Sequence, residues 1–291
     1  MAKKILVTGA CGLIGRELFP YLQQQGHDVV GIDNQFRFPE YVNHDVIDTT
    51  TEEYLHQCTI KFDYIYHLSA INGTKYFYSI PNTILTNNIR SDLTVFEYAQ
   101  KYHSKLMYAS SSEVVAGTDT IPTTEQTSIN IKDLHNPRWS YRLSKCVAEN
   151  YLYNSNLDFV IIRFFNLFSE HSGAGHFVHD IKHKLLAGNY DIIGAQETRS
   201  FCYVKDVLSA IQTVTETANK EVINIGSNQE IKIEEAANVI ARKLGIDADW
   251  NYFPSLPGSS QRRCPDIRKL LHLVPNFQHR TFEEIINDID L

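Results

Sequence analysis

The sequence predicts an α/β protein with a doubly wound parallel sheet, and three observations carry that expectation. Short runs rich in β-branched and aromatic residues recur along the N-terminal half, they are apolar without alternation, and helical stretches separate them. Strands covered by helices on both faces read as unbroken apolar runs, because neither face meets water. Repeated β-α units of this kind imply a parallel sheet with helices on both sides.

Taken in order, Ile5-Leu6-Val7 opens the first unit and a helical stretch follows at 13–25. Val29-Val30-Gly31-Ile32, Tyr64-Ile65-Tyr66-His67-Leu68, Lys105-Leu106-Met107-Tyr108 and Phe159-Val160-Ile161-Ile162 are the next strands, with a long helix at 85–102. Beyond Phe165 the order loosens: helical stretches at 177–187, 206–219 and 233–244 alternate with short strands, and 254–265 reads as loop. The expected organisation is one sheet over 1–165, completed by later segments, with a smaller C-terminal α/β portion over 166–291 closing its edge.

The chain has 291 residues, enough for a substantial core, and its 43% hydrophobic and 21% charged residues are those of an ordinary soluble protein. A formal charge of -7 argues against a nucleic-acid surface. Local arginines can still hold a phosphate on an acidic protein. Five scattered cysteines without CxxC spacing suggest reduced thiols in a cytoplasmic protein, with neither disulfides nor a metal site. No run reaches membrane-spanning length, and the basic start, Met1 to Lys4, leads into a strand and not an export signal.

Thr8-Gly9-Ala10-Cys11-Gly12-Leu13-Ile14-Gly15 follows the first strand and opens the first helix. The first glycine permits the tight turn, the second lets backbone approach a pyrophosphate, and the third lets helix and strand pack closely. The helix N-terminus adds amide groups and a positive dipole end. Asp33 closes the second strand with Asn34 beside it, where a carboxylate accepts from ribose hydroxyls and repels a 2′-phosphate. The arrangement is that of a Rossmann sheet and favours NAD over NADP. Asp45, with Val46, is placed to reach the adenine in such a fold; taken by itself it reads as a loop or capping residue.

Tyr141 and Lys145 are four apart on a predicted helix and share a face. A tyrosine is a poor base at neutral pH, with a pKa of about 10. A nearby ammonium favours the phenolate. Upstream, Ala109-Ser110-Ser111-Ser112-Glu113 ends a strand, where catalytic groups of open α/β sheets gather, and at least one of these serines is expected merely to cap a turn.

With these residues the chain resembles the extended short-chain dehydrogenase/reductase family, which includes nucleotide-sugar 4-epimerases, 4,6-dehydratases and UDP-glucuronate decarboxylases. The resemblance spans nearly the whole chain: the glycine turn, His67-Leu68-Ser69-Ala70, Asn88, the serine cluster, Tyr141/Lys145, Arg163-Phe164-Phe165-Asn166, Arg199 to Asp206 and Arg263-Cys264-Pro265-Asp266. It implies that Leu68, Ser69, Ala70, Asn88, Tyr141 and Lys145 contact NAD, Lys145 holding the nicotinamide ribose. It also implies that Asn166, Phe177, Arg199, Arg263 and Asp266 contact a nucleotide-diphosphate sugar. A homodimer through the helices carrying Asn88 and Tyr141 is the family expectation, although Leu93, Phe96 and Tyr151 there read equally as core. Three departures stand out. Glu113-Val114-Val115-Ala116-Gly117 lacks the family's tyrosine and is one residue longer, which leaves the catalytic hydroxyl open between Ser111 and Ser112. The loop from Asp33 to Asp45 is short. Ser169 replaces the glycine that usually follows the Arg-Phe-Phe-Asn run.

The implied chemistry is transient oxidation of the sugar at C4, with Tyr141 as base, Lys145 lowering its pKa and a serine steadying charge. The ketosugar is then epimerised, dehydrated or decarboxylated. Ser112 stands where dehydratases carry an acid, which weakens dehydration. The Ser112-Glu113 pair looks like the decarboxylases, whose helix around the tyrosine is more acidic. Epimerisation is the least demanding outcome and the first expectation. A catalytically silent NAD(H)-binding sensor or scaffold is the reading from another class.

Overall fold

The structure is a computed structural model that describes every residue except 37, 38, 40, 42 and 132. Its chain runs β1 (Lys4–Thr8), α1 (Gly15–Gln24), β2 (Asp28–Asp33), β3 (Val46–Asp48), α2 (Thr51–Gln57), β4 (Tyr64–His67), α3 (Thr74–Ser79), α4 (Pro81–Tyr102), β5 (Lys105–Ser111), α5 (Trp139–Tyr153) and β6 (Phe159–Phe164). These six strands and Glu221–Ile225 form one sheet, in the order β3-β2-β1-β4-β5-β6 and then Glu221–Ile225, every pair parallel. The last strand comes from the C-terminal half.

The unbroken apolar runs have the predicted cause. Successive strand side chains point to opposite faces, and both faces are covered. Ile5, Val7, Val160 and Ile162 pack with Leu18 and Phe19 of α1 and Val207 and Ile211 of the helix Val204–Thr217. Leu6, Phe159 and Ile161 pack on the other face with Val95 and Phe96 of α4 and Leu152 of α5. Phe96, with Leu93 and Tyr151 against it, is therefore core. A separate core joins Phe168, Ile181, Ile240 and Ile285 within the C-terminal portion.

β3 escaped the sequence reading because it has three residues and only Val46 is buried. β1 lies between β2 and β4, so the chain leaves it in both directions and opens a crevice at the carboxyl ends of the strands.

Candidate active site

A cleft of about 860 Å³ opens at that crevice, within the size range of ligand sites. The glycine turn forms its floor. Gly9 takes φ +70°, and a Cβ on it would lie 2.7 Å from the Ser69 amide nitrogen. A Cβ on Gly15 would lie 2.1 Å from the Gly9 carbonyl oxygen, so α1 packs on the turn only without a side chain there. Gly12, Leu13, Ile14 and Asn34 also line the cleft. Asp33 is held in place: the backbone N–H of Cys11 donates to Oδ2 at 2.9 Å and that of Gln35 to Oδ1 at 2.6 Å. Burial raises its pKa, and these two N–H groups oppose the rise. The Cys11 thiol is buried, and burial and the Asp33 charge push it up to about 11, so its part is the backbone N–H.

Asp45 and Val46 do not line the cleft, contrary to expectation. They stand at the amino end of β3, whereas the crevice is at the carboxyl ends. Thr49, Thr50, Thr51 and Glu52, just beyond Asp48, line it. Leu68, Ser69 and Ala70 line the wall after β4. Asn88 fixes the same loop, its Oδ1 accepting from Ile71 N–H at 2.8 Å and its Nδ2 donating to Ile71 O at 3.2 Å.

Tyr141 and Lys145 face the cleft from α5, Tyr141 stacked on Phe77 at 5.2 Å between ring centroids. The Lys145 ammonium is 5.9 Å from the Tyr141 ring centroid and fully buried, and burial pushes its pKa down. The serines divide their work. Ser110 donates to Glu149 in the interior, Ser111 Oγ accepts from Glu113 N–H at the head of the 3-10 turn Ser112–Val115, and both Ser111 and Ser112 line the cleft.

That turn swings Glu113 under α5, where its Oε1 accepts from Arg138 Nη2 at 2.6 Å and Arg263 Nη1 at 2.8 Å. Burial works against the carboxylate, and the two guanidinium groups outweigh it, holding the carboxyl well below the usual range. Arg138 was not anticipated, yet it sits three residues before Tyr141 and so shares its helical face. Further along the wall Arg199 donates to Glu197 Oε2 at 2.6 Å and to Ser259 Oγ at 3.1 Å. Burial and then Arg263 push Arg199 down to about 10. Asn166, at φ +44°, and Phe177, stacked on Phe201, complete the lining. Asp266 is absent from it, and its carboxylate accepts from the Arg268 backbone N–H and guanidinium.

No helix of the described residues is long and apolar enough to cross a membrane. UDP-glucuronic acid decarboxylase 1 of Xenopus tropicalis is 28% identical over 281 residues, covering 92% of this chain; the chain spans 66% of that protein's length. UDP-N-acetyl-alpha-D-glucosaminuronate decarboxylase of Bacillus cytotoxicus is 28% identical over 257 residues, or 82% of this chain and 80% of that one. The structure of a UDP-N-acetylglucosamine 4-epimerase from Methanobrevibacter ruminantium, in complex with UDP-N-acetylmuramic acid, superposes with a TM-score of 0.85 at 25% identity, covering 99% and 96% of the two chains. The model of the NAD dependent epimerase/dehydratase family matches residues 5–226, and the chain belongs to that family of enzymes.

Proposed function

We propose that the protein oxidises C4 of a nucleotide-diphosphate sugar transiently, using a resident NAD that is restored at the end of each cycle. The observation that carries this is the convergence of Tyr141, Lys145 and Ser111 in the same cleft as the glycine turn and Asp33. The residues present suit a dinucleotide: the turn bears no side chain at Gly9, Gly12 or Gly15, and Asp33, fixed by two N–H donors, is a carboxylate that would accept from ribose hydroxyls. NAD, when bound, supplies the hydride acceptor. Tyr141 takes the proton of the sugar hydroxyl. Ser111, whose Oγ already accepts from Glu113, keeps its own proton to donate to the reacting oxygen. Arg199, Arg263 and Asn166 bind the diphosphate end, since guanidinium forks suit phosphate.

For the fate of the ketosugar, Arg138 and Glu113 favour decarboxylation over the epimerisation first expected. A guanidinium one turn from Tyr141 recognises the carboxylate of a hexuronic acid, a group that a neutral hexose lacks. Oxidation at C4 makes that carboxylate β to a ketone. Its loss as carbon dioxide leaves an enolate whose oxygen Tyr141 and Ser111 can hydrogen-bond. The relatives named as decarboxylases support this reading. A cytoplasmic location and a homodimer belong to the proposal too. Val147 and Tyr153, 45% and 54% exposed on α5, offer the dimer surface that Phe96 does not.

The test is direct mass detection of products from UDP-, dTDP-, GDP- and CDP-sugars, each offered as hexose and as hexuronic acid. A pentose product with released carbon dioxide is expected. An epimer without carbon dioxide would remove the decarboxylation reading and keep transient oxidation. Turnover of nothing in the panel, or stoichiometric consumption of NAD, would remove both.

A further inference from the structure

Behind Lys145, away from the cleft, lies a buried polar chain that the proposed chemistry does not use. Asp92, on α4, is 2% exposed. Its Oδ1 is 2.9 Å from His67 Nε2, and its Oδ2 accepts from the Tyr108 hydroxyl at 2.9 Å. The chain continues outward: His67 Nδ1 lies 2.7 Å from Thr8 Oγ1 and 3.4 Å from Ser69 Oγ, which meets Thr51 and Ser91 at the cleft wall. The Ser69 N–H donates to Thr8 Oγ1 at 3.3 Å.

We propose that Asp92 is a positioning residue for the acid-base pair: its buried carboxylate, acting through the Tyr108 ring, holds Lys145 in the charged form on which the acidity of Tyr141 depends. The proposal rests on the reading of Tyr141 and Lys145 as that pair. The Lys145 ammonium sits 4.5 Å from the Tyr108 ring centroid, within the range of attraction between a cation and an aromatic face. A phenol that donates its proton to a carboxylate carries more electron density on its ring, which strengthens that attraction. The groups acting on Lys145 among the described residues are the phenols of Tyr108 and Tyr141 and the carboxylates of Asp92 and Glu149. Glu149 is already bound to Arg163 by bonds of 2.6 and 3.0 Å and accepts from Ser110. Asp92 is thus the carboxylate left to offset the cost of burying the ammonium. Burial pushes the lysine down, and the Asp92 charge is the larger of the two that oppose it.

The test reads Tyr141 directly. The phenolate absorbance of the NAD-loaded protein is titrated against the same background carrying Tyr141→Phe, and the difference is the Tyr141 curve. Asp92→Asn is expected to raise the Tyr141 pKa by about one unit, with the acid limb of the pH–rate profile moving alongside it. Tyr108→Phe keeps the ring and drops the hydroxyl; it should shift the curve in the same direction by less, and it answers the question if Asp92→Asn does not fold. Unmoved Tyr141 curves in the folded variants would overturn the proposal, even if turnover fell, because a purely structural role lowers rate without moving the titration. The titration needs no sugar, so its answer is separate from that of the substrate panel.

Discussion

Gly15 and Gly12 belong to the same turn, and the structure assigns them different burdens. A methyl group at Gly15 would stand 2.1 Å from the Gly9 carbonyl oxygen, 2.7 Å from the Ala10 Cα and 2.9 Å from the Ala10 carbonyl carbon. All three are backbone atoms, so no side-chain rotation relieves the overlap. To reach an ordinary contact of 3.4 Å, α1 and the turn must separate by about 1.3 Å. Overpacking of this kind costs about 1–3 kcal/mol. At about 2–4 °C per kcal/mol for a chain of this order of size, Gly15→Ala should lower Tm by several degrees. The same displacement moves the amide groups proposed to hold the pyrophosphate, and a misplacement of about 1 Å costs about 100-fold in a precisely oriented site. A methyl at Gly12 meets just the Gly9 oxygen, at 3.1 Å, so Gly12→Ala should keep Tm nearly unchanged while still obstructing a ligand at the turn. Thermal unfolding with and without NAD, together with calorimetric titration of NAD, separates the two effects. If Gly15→Ala melts with the wild type and binds NAD equally well, the account of helix and turn packing is wrong.

Three further outcomes are expected. Tyr141→Phe should reduce turnover by about 100-fold or more with NAD affinity unchanged in calorimetry, and loss of NAD binding instead would assign the hydroxyl to the cofactor. Arg163→Met leaves Glu149 buried at 2% exposure without its cation, at a cost of about 3–5 kcal/mol in chemical denaturation; a loss below about 1 kcal/mol would show that Glu149 finds another partner. The Glu113 carboxyl has a folded-state pKa below its unfolded value of about 4.3. Its contribution to stability is therefore present above that value and lost as pH falls toward the folded-state value. Glu113→Gln should flatten the pH dependence of stability below about pH 4.3, and parallel acid-denaturation curves for the two proteins would contradict the Arg138–Glu113–Arg263 grouping.

The parts of the molecule that the sequence made legible are those governed by local rules. Apolar runs declared β1, β2, β4, β5 and β6 because burial on both faces demands them, and the glycine spacing declared the turn because only a missing Cβ satisfies its contacts. β3 was silent, since three residues with one buried side chain carry no pattern. The adenine-side expectation therefore fell on Asp45 and Val46, which do not line the cleft, and passed over Thr49 to Glu52, which do. Arg138 was visible in principle through its spacing to Tyr141, but its importance comes from Glu113, 25 residues away, and from Arg263 beyond that. Asp266 stands outside the cleft lining for a matching reason: an arginine two residues on pairs with its carboxylate, and a motif does not show which of two partners wins.

The charged wall itself bears on what the cleft accepts. Arg138 and Arg263 meet at Glu113, and Arg199 meets Glu197, so each guanidinium is held in a fixed rotamer by a carboxylate before a ligand arrives. Side chains fixed in advance lose less entropy on binding. Two polar atoms on this wall are nevertheless buried with no hydrogen-bond partner among the described residues: Arg263 Nε, a donor, and Glu197 Oε1, an acceptor. A buried polar atom without a partner costs about 1–3 kcal/mol, so a ligand that satisfies both gains from each. A phosphate oxygen satisfies the first and a hydroxyl or base N–H the second. A nucleotide-diphosphate sugar carries both kinds of group, whereas inorganic diphosphate has no sugar hydroxyl and no base N–H to offer Glu197. Glu197→Gln should therefore weaken a nucleotide diphosphate more than it weakens inorganic diphosphate in competition binding. Equal weakening would mean that Glu197 serves Arg199 and nothing else.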